Sequence, residues 1–308
     1  MKKVVLLYNP AAGKLREKRR AIVEEVARVF DKASVGCEII ATDGPGSAGH
    51  QARAVAEIGA ATVFACGGDG TVHEVLQGLT GGMACALGVI PMGSANVVAR
   101  HLGLPMNPVE AARMQLEWRD ALLPVGQVEW QGGRRAFLAL AGAGPDGSLV
   151  YQALADGKAL LGRAAYYLKA AALFCTRKFH PFLLEYRVTA DAPWEEMDAV
   201  SAMAVRVRDM GGLFSSLACG ELHSAHLEVS VLRPPARYSF PAWFASGYAR
   251  VHRMNPLLRR LQVQAFRCIP KNGDRLDIQA DGEWLGCAPA EISIVTDGVR
   301  LLMPPTMH

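Results

Sequence analysis

Apolar and polar positions alternate in a strand–helix rhythm over the first 120 residues. Four short apolar runs predict buried strands, at residues 3–8, 37–41, 61–66 and 87–91. Between and after them, apolar residues recur at helical spacing in residues 15–30, 49–59, 72–79, 97–102 and 107–118. Strands alternating with helices are typical of a parallel sheet. The pattern therefore predicts an N-terminal α/β domain with a parallel sheet.

Beyond about residue 122 the pattern changes to short strands separated by turn residues such as Asn272-Gly273 and Asp281-Gly282. The predicted strands are residues 125–130, 135–141, 182–189, 199–206, 227–232, 263–269, 275–279, 283–286 and 291–296. Two helical segments, at residues 164–174 and 240–261, interrupt them. We therefore predict two domains, residues 1–121 and 122–308, and the second is a mainly antiparallel β-sandwich with helical insertions.

Composition narrows the functional classes. The net charge of +4 is modest, and no nucleic-acid motif accompanies it, so nucleic acid is not expected as a partner. No apolar run reaches the ~18 residues of a transmembrane helix, and the N-terminal apolar run is too short for a signal peptide. The seven scattered cysteines form no Cys-x-x-Cys pair, which favours reduced thiols. These features predict a cytoplasmic protein.

Three glycine-containing loops follow predicted strands, at residues 9–14, 67–71 and 91–96. Ligands of parallel sheets bind beyond the carboxyl ends of the strands, and glycines before a helix allow backbone N–H groups to approach a phosphate. Asp69 adds a carboxylate, which would repel phosphates unless a cation such as Mg²⁺ compensates it. Thr71 and Glu74 predict a capping box at the following helix. A simple strand-to-helix turn could explain any one loop, but the shared position of three favours phosphate binding.

Five motifs together give a family resemblance. They are Asn9-Pro10-x-x-Gly13, Gly67-Gly68-Asp69-Gly70-Thr71-x-x-Glu74, Pro91-x-Gly93-Ser94-x-Asn96, Gly142-x-Gly144-x-Asp146 and Asp281-Gly282-Glu283. In this order they resemble the diacylglycerol kinase catalytic family, which includes bacterial lipid kinases, sphingosine kinases and ceramide kinases. The second motif alone is also similar to NAD kinases and phosphofructokinases.

The resemblance implies an ATP-dependent kinase that uses Mg²⁺ and transfers the γ-phosphoryl group to a lipid hydroxyl such as that of diacylglycerol. It implies an active site in the cleft between the domains, and a final segment, residues 299–304, that packs back on the first domain. Asp281 would be the catalytic base, and Asp69 and Asp146 would belong to the magnesium network. The implied nucleotide contacts are Asn9, Pro10, Gly13, Lys14, Thr42, Gly67, Gly68, Asp69, Gly70, Thr71, Glu74, Gly93, Ser94, Asn96 and Glu283.

Other interpretations stay open beside this one. Asp281-Gly282 is also a strong hairpin signal, and Asn before Gly would form the same turn, so Asp281→Asn is expected to change stability little. A soluble NAD-kinase-like phosphotransferase and a non-catalytic nucleotide-binding regulator are the alternative functions. The family's structural-metal aspartates are replaced near residues 219–229, where Glu221, His223, His226 and Glu228 read better as surface residues. A structural metal is therefore not predicted.

Residues 233–275 carry nine Arg or Lys and one acidic residue, Asp274, with Trp243, Phe244 and Tyr248 in the helical part. Basic and aromatic side chains on a helix suit an anionic membrane surface, whereas a solvated face over an aromatic core is the alternative. Peripheral membrane association is therefore expected alongside the lipid substrate. The sequence leaves open a homodimer.

Overall fold

A computed structural model of the chain describes residues 3–10, 18–145, 147–148, 179–208, 220–248 and 255–305. The chain forms two compact units. The first contains Met1–Val125 and Val295–His308, and the second contains Gly126–Ile294. The chain therefore leaves the first unit near residue 125 and returns to it for its last 14 residues.

The first unit is a parallel sheet with helices. Its elements are β1 (Lys3–Tyr8), α1 (Arg19–Lys32), β2 (Gly36–Ala41), α2 (Ser47–Glu57), β3 (Thr62–Gly67), α3 (Asp69–Leu79), β4 (Ala86–Pro91), α4 (Val97–His101) and α5 (Pro108–Gln115). The strand order is β2-β1-β3-β4, and β4 is followed by the end of the C-terminal strand, in which Arg300 and Leu301 pair in parallel with Ala86 and Leu87. The pairings among β1, β2, β3, β4 and the end of the C-terminal strand are parallel.

Burial explains why these segments form strands rather than helices. Every residue of β4 is buried, as are five of the six residues of β1, which is typical of a parallel sheet covered on both faces. On one face, α2 and α3 pack so closely that a Cβ on Gly78 would lie 2.0 Å from the carbonyl oxygen of Gly49. Only glycine at this position allows the two helices to approach so closely.

The second unit consists of antiparallel strands. They are β5 (Arg119–Trp130), β6 (Gly133–Phe137), β7 (Leu140–Ala143), β8 (Phe182–Arg187), β9 (Glu195–Ala199), β10 (Ser201–Val205), β11 (Leu227–Leu232), β12 (Leu258–Val263), β13 (Ala265–Ile269), β14 (Asp277–Ala280), β15 (Glu283–Cys287) and β16 (Ala290–Met303). The ends of β5 and β16 belong to the first unit. Helix α6 (Ala236–Tyr248) lies between β11 and β12.

Two antiparallel layers enclose the core of the second unit. One has the order β12-β11-β10-β7-β14-β15, and the other contains β16-β13-β8-β9 with the β5–β6 hairpin. Phe137, Phe182 and Phe266 are fully buried in one apolar cluster with residues of both layers. The predicted fold class, a parallel α/β domain followed by an antiparallel β-sandwich, is confirmed.

The structure corrects two segments. Of the helix predicted over residues 240–261, the described part up to Tyr248 is helical, but Leu258–Val263 is strand β12, paired with β11. Strand β9 has no counterpart among the predictions because Glu195–Ala199 is charged and lacks alternation. The helix predicted at residues 164–174 lies outside the described residues.

Candidate active site

The second and third glycine loops meet at the carboxyl edge of the first unit's sheet. The backbone N–H of Met92, just after β4, donates to the carbonyl oxygen of Gly67 at the end of β3 over 2.8 Å. A Cβ on Gly93 would lie 2.5 Å from the Cα of Gly68, so the two backbones touch where side chains cannot fit. The edge therefore exposes main chain from two loops at one place, which is the arrangement that phosphate groups require.

Asp69 ties these loops together. Its carboxylate accepts the N–H of Asn96 at 2.9 Å and the N–H of Val97 at 2.6 Å, so it caps the start of α4 from the start of α3. Asn96 is held at a positive φ of 50°, and its side chain bonds both the N–H and the C=O of Gly93. The predicted site residues Gly67, Gly68, Asp69, Gly93 and Asn96 therefore form one connected group.

The predicted capping box is wrong. Helix α3 begins at Asp69 with Gly68 as its N-cap, and no side chain caps it within the described residues. Thr71 is buried in the first turn, and its hydroxyl lies where a Cβ on Gly67 would stand. The carboxylate of Glu74 instead accepts the N–H of Ala48 at 3.3 Å, at the start of α2.

The remaining residues predicted for the nucleotide differ in how they are placed. Asn9 and Pro10 directly follow β1, and the N–H of Thr42 after β2 donates to the carbonyl of Tyr8 at 2.9 Å. The Thr42 hydroxyl is buried and bonds to none of the described residues. Ser94 is exposed at the tip of its loop. Gly13 and Lys14 lie outside the described residues.

In the second unit, Asp281 is both a turn residue and an anchored carboxylate. Asp281 and Gly282, with φ of 48° and 84°, form the two-residue turn between β14 and β15. The carboxylate accepts three backbone N–H groups from the β6–β7 connection, at 2.8 to 2.9 Å, from Leu138, Ala139 and Leu140. This grip fixes the orientation of the carboxylate, which a hairpin signal alone could not predict.

Arg206 is a residue of this site that the sequence did not indicate. It is 1% exposed, its backbone N–H bonds the carbonyl of Ala139, and its guanidinium donates to the carbonyl of Leu222 at 2.6 Å. Desolvation lowers the pKa of Arg206 to about 10, and the nearby charge of Asp281 opposes that shift. A buried cation therefore interacts electrostatically with the candidate base.

Asp277 is a second residue that the sequence did not indicate. It is 1% exposed, and its carboxylate accepts bonds from Ser148, Arg275 and Trp284 at 2.6, 2.9 and 3.1 Å. Burial acts to raise the pKa of Asp277, but these three hydrogen bonds outweigh it and hold the pKa below its ordinary value.

Through Ser148 and through its own carbonyl, which accepts the N–H of Gly144 at 3.0 Å, Asp277 holds both sides of the Gly144-x-Asp146 motif. Asp146 itself lies outside the described residues. Glu283, at the start of β15, is exposed.

The residues present fit a nucleotide with its magnesium ion. The close approach of Gly68 and Gly93 leaves their backbones uncovered by side chains of their own, and buried Thr42 carries a hydroxyl without a partner in the described part of the chain. Magnesium usually keeps several waters and takes one or two carboxylates plus the substrate's phosphates. A carboxylate offers about four lone-pair sites, so the bonds that Asp69 accepts from Asn96 and Val97 do not by themselves exclude such a role. The described residues contain no cluster of three or more metal-ligating side chains.

Part of the basic stretch at residues 233–275 is neutralised by acidic side chains. Among its described residues, three of the nine basic side chains form ion pairs: Arg267 with Glu185 and Glu291, Lys271 with Asp198, and Arg275 with Asp277. On α6, Arg237 stacks on Tyr238, which is 56% exposed. Among the helices that the structure describes, none is long and apolar enough to cross a bilayer.

Comparisons with known proteins agree with this geometry. Residues 3–127 match the family model of the diacylglycerol kinase catalytic domain. The chain is similar to a diacylglycerol kinase of Bacillus subtilis (strain 168), with 26% identity over 306 residues that cover 99% of this chain and 97% of the relative. It is also similar to a diacylglycerol kinase of Staphylococcus saprophyticus, with 30% identity over 186 residues that cover 60% and 59%.

A solved structure of a protein from Bacillus anthracis str. Sterne shares the fold, with a TM-score of 0.77, 22% identity and coverage of 100% of this chain and 99% of that one. At this identity the structural likeness speaks for the fold alone. The match over residues 3–127 includes Asp69 and the loops that it joins. Over residues 3–127 the chain therefore resembles the diacylglycerol kinase catalytic domain family.

Proposed function

We propose that this protein is an ATP-dependent lipid kinase that transfers the γ-phosphoryl group to the hydroxyl of a lipid such as diacylglycerol. The observation that carries the proposal is the joined pair of glycine loops at the carboxyl edge of the first unit's sheet, held by Asp69. Phosphoryl transfer depends on positioning and on neutralising charge, and a rigid edge of backbone N–H groups supplies both.

The first unit is assigned the nucleotide. Main-chain N–H groups near Gly68 and Gly93, together with the amino end of α3, would receive the phosphates. Magnesium would neutralise part of the phosphate charge, held by Asp69 through its waters or directly. Asn9, Pro10 and Thr42 follow neighbouring strand ends, and they would line the rest of the nucleotide.

The second unit is assigned the proton transfer. As the lipid oxygen attacks the γ-phosphorus and the bond to the leaving β-phosphate oxygen breaks, the hydroxyl proton passes to the carboxylate of Asp281. Three backbone N–H bonds fix the orientation of that carboxylate, and the charge of buried Arg206 interacts with it. Peripheral membrane contact through the exposed Tyr238 and Arg237 of α6 would bring the lipid within reach.

The test is transfer of label from ATP marked in its γ-phosphate to a panel of acceptors in mixed micelles. The panel contains diacylglycerol, a sphingoid base, ceramide and phosphatidylglycerol, with NAD supplied in the aqueous phase. Label in diacylglycerol supports the proposal. Label in another lipid also supports a lipid kinase but identifies a different lipid substrate. Label in NAD alone would establish the NAD-kinase-like alternative. Binding of ATP with no label in any acceptor would favour the non-catalytic regulator. The Asp281→Asn protein, purified in parallel, controls for contaminating kinases.

A further inference from the structure

Arg19 is a buried cation that makes few hydrogen bonds with the described residues. It is the first residue of α1 and is 2% exposed. Its Nη2 donates to the carbonyl oxygen of Met92 over 3.3 Å. Its Nε and Nη1 meet no acceptor among the described residues. A buried donor without an acceptor costs about 1–3 kcal/mol, and more when it is charged. The fold therefore tolerates an unfavourable group at this position.

The position of Arg19 coincides with the proposed phosphate site. Met92, its one acceptor, begins the third glycine loop and is bonded to Gly67. Desolvation lowers the pKa of Arg19 from its ordinary value, and no acidic partner is found for the charge in the described part of the chain. The cation is thus bonded directly to the loop that meets Gly67 and Gly68.

The start of α1 also has an excess of basic side chains. Its first turn carries no acidic residue, and Lys18 at its N-cap makes no capping bond with the described residues. Lys18, Arg19 and Arg20 place three basic side chains at the positive end of the helix dipole, where cations are disfavoured. Arg20 is compensated by Glu24 at 3.0 Å, but Arg19 is not. An anion bound at this edge would relieve both the dipole and the buried charge.

We propose that Arg19 is the buried positive charge that draws the nucleotide's phosphates to the two glycine loops. It acts as a positioning residue: its field reaches the phosphates through the Met92 peptide, and its donors hold the third loop in place. The inference rests on the proposed nucleotide role of the first unit. Because the guanidinium is out of water, salt screens its field less than that of a surface arginine.

The test compares affinities along a phosphate series. ATP with Mg²⁺, ADP, AMP and adenosine are titrated by calorimetry into the wild type, Arg19→Met, Arg19→Lys and the control Arg20→Met. Arg20 is a matched control because it is the next residue on the helix but is exposed and paired with Glu24. We expect Arg19→Met to lose roughly 10- to 100-fold in ATP affinity, less for ADP and AMP, and nothing for adenosine. Arg19→Lys and Arg20→Met should keep most of the preference for ATP.

The stability of the ligand-free protein supplies a second measurement. Since Arg19→Met removes a poorly compensated buried charge, its urea midpoint should not fall below that of the wild type. If Arg19→Met does not fold, Arg19→Gln provides the neutral side chain. An affinity loss in Arg19→Met that is equal for all four ligands overturns the role of Arg19. Unchanged affinities for the four ligands, together with a lower urea midpoint, overturn it as well. A wild type that binds ATP no better than adenosine contradicts instead the proposed nucleotide function.

Discussion

Replacing Asp281 with Asn should remove turnover and also weaken the fold, and the structure gives the size of both effects. The turn itself tolerates the change, because Asn adopts a positive φ readily and Asn-Gly suits this hairpin. The hydrogen bonds that the carboxylate accepts do not tolerate the change. Oδ1 accepts the N–H groups of Ala139 and Leu140, while Oδ2 accepts that of Leu138 at 2.9 Å. In Asn one of these oxygens becomes an NH₂ group that faces another donor.

The expected loss of stability in Asp281→Asn follows from those hydrogen bonds. Even in the better orientation the amide keeps two acceptor bonds at Oδ1 and loses the third, which was a bond to a charged acceptor worth about 1.5–3 kcal/mol. The two that remain weaken because the acceptor is neutral, and buried Arg206 loses the charge beside it. We expect a loss of about 2–5 kcal/mol in the free energy of unfolding. This replaces the expectation, drawn from the turn alone, that stability would change little.

Activity should fall further than stability can explain. Losing a general base typically costs ~10²–10⁴ in rate. The assay is kcat for lipid phosphorylation, well below the variant's melting temperature, with ATP affinity and the urea midpoint measured on the same sample. Gln279→Ala is the matched control, because Gln279 bonds the N–H of Gly282 in the same hairpin but carries no base.

The two variants together decide the role of Asp281. Both should unfold at lower urea concentration, and only Asp281→Asn should lose kcat. A near-normal kcat in folded Asp281→Asn would return Asp281 to the role of a turn residue. An equal loss of kcat in Gln279→Ala would mean that hairpin integrity, rather than proton transfer, limits the reaction.

Three further outcomes are expected. Asp69→Ala should cut turnover by about 10²-fold or more and reduce the thermal shift caused by ATP, because the two glycine loops lose their tie; normal activity in the folded variant would contradict the placement. The pKa of Asp277 is depressed in the folded protein, so its carboxylate stabilises the fold above the unfolded pKa near 4, and this stability is lost as pH falls below that value. The gap in urea midpoint between wild type and Asp277→Asn should therefore close from about pH 5 downward. A constant gap would argue against this role of Asp277. Arg237→Glu should weaken sedimentation with anionic vesicles at low salt, whereas equal binding to neutral vesicles would indicate a solvated face without membrane contact.

The sequence predicted those parts of the fold in which side-chain periodicity matches the local environment. The buried strands β1, β3 and β4 and the hairpin at Asp281-Gly282 carry such signals. Strand β12 carries no such signal, because Leu258 and Leu261 are spaced as on a helix. Only pairing with β11 makes the segment extended.

The sequence likewise predicted only part of the site. The glycine loops could be located from residue types, but the bonds that organise the site run to main chain. The N–H groups of Leu138, Ala139 and Leu140 have no sequence signature, so the grip on Asp281 could not be predicted. Arg19 and Arg206 read as ordinary solvated cations, because burial of an arginine depends on distant segments that pack over it.

The two aspartates that grip backbone also shape how the protein can change by mutation. Asp69 bonds the amides of Asn96 and Val97, and Asp281 bonds those of residues 138–140, so these particular bonds do not depend on the side chains of the paired residues. Every residue except proline offers an amide, so the bonds themselves place no demand on the identity of those side chains. The aspartates have no such freedom, and no second substitution can restore an acceptor to an amide that has lost one. A suppressor screen starting from either aspartate variant should therefore return true revertants and few compensating changes at the paired positions.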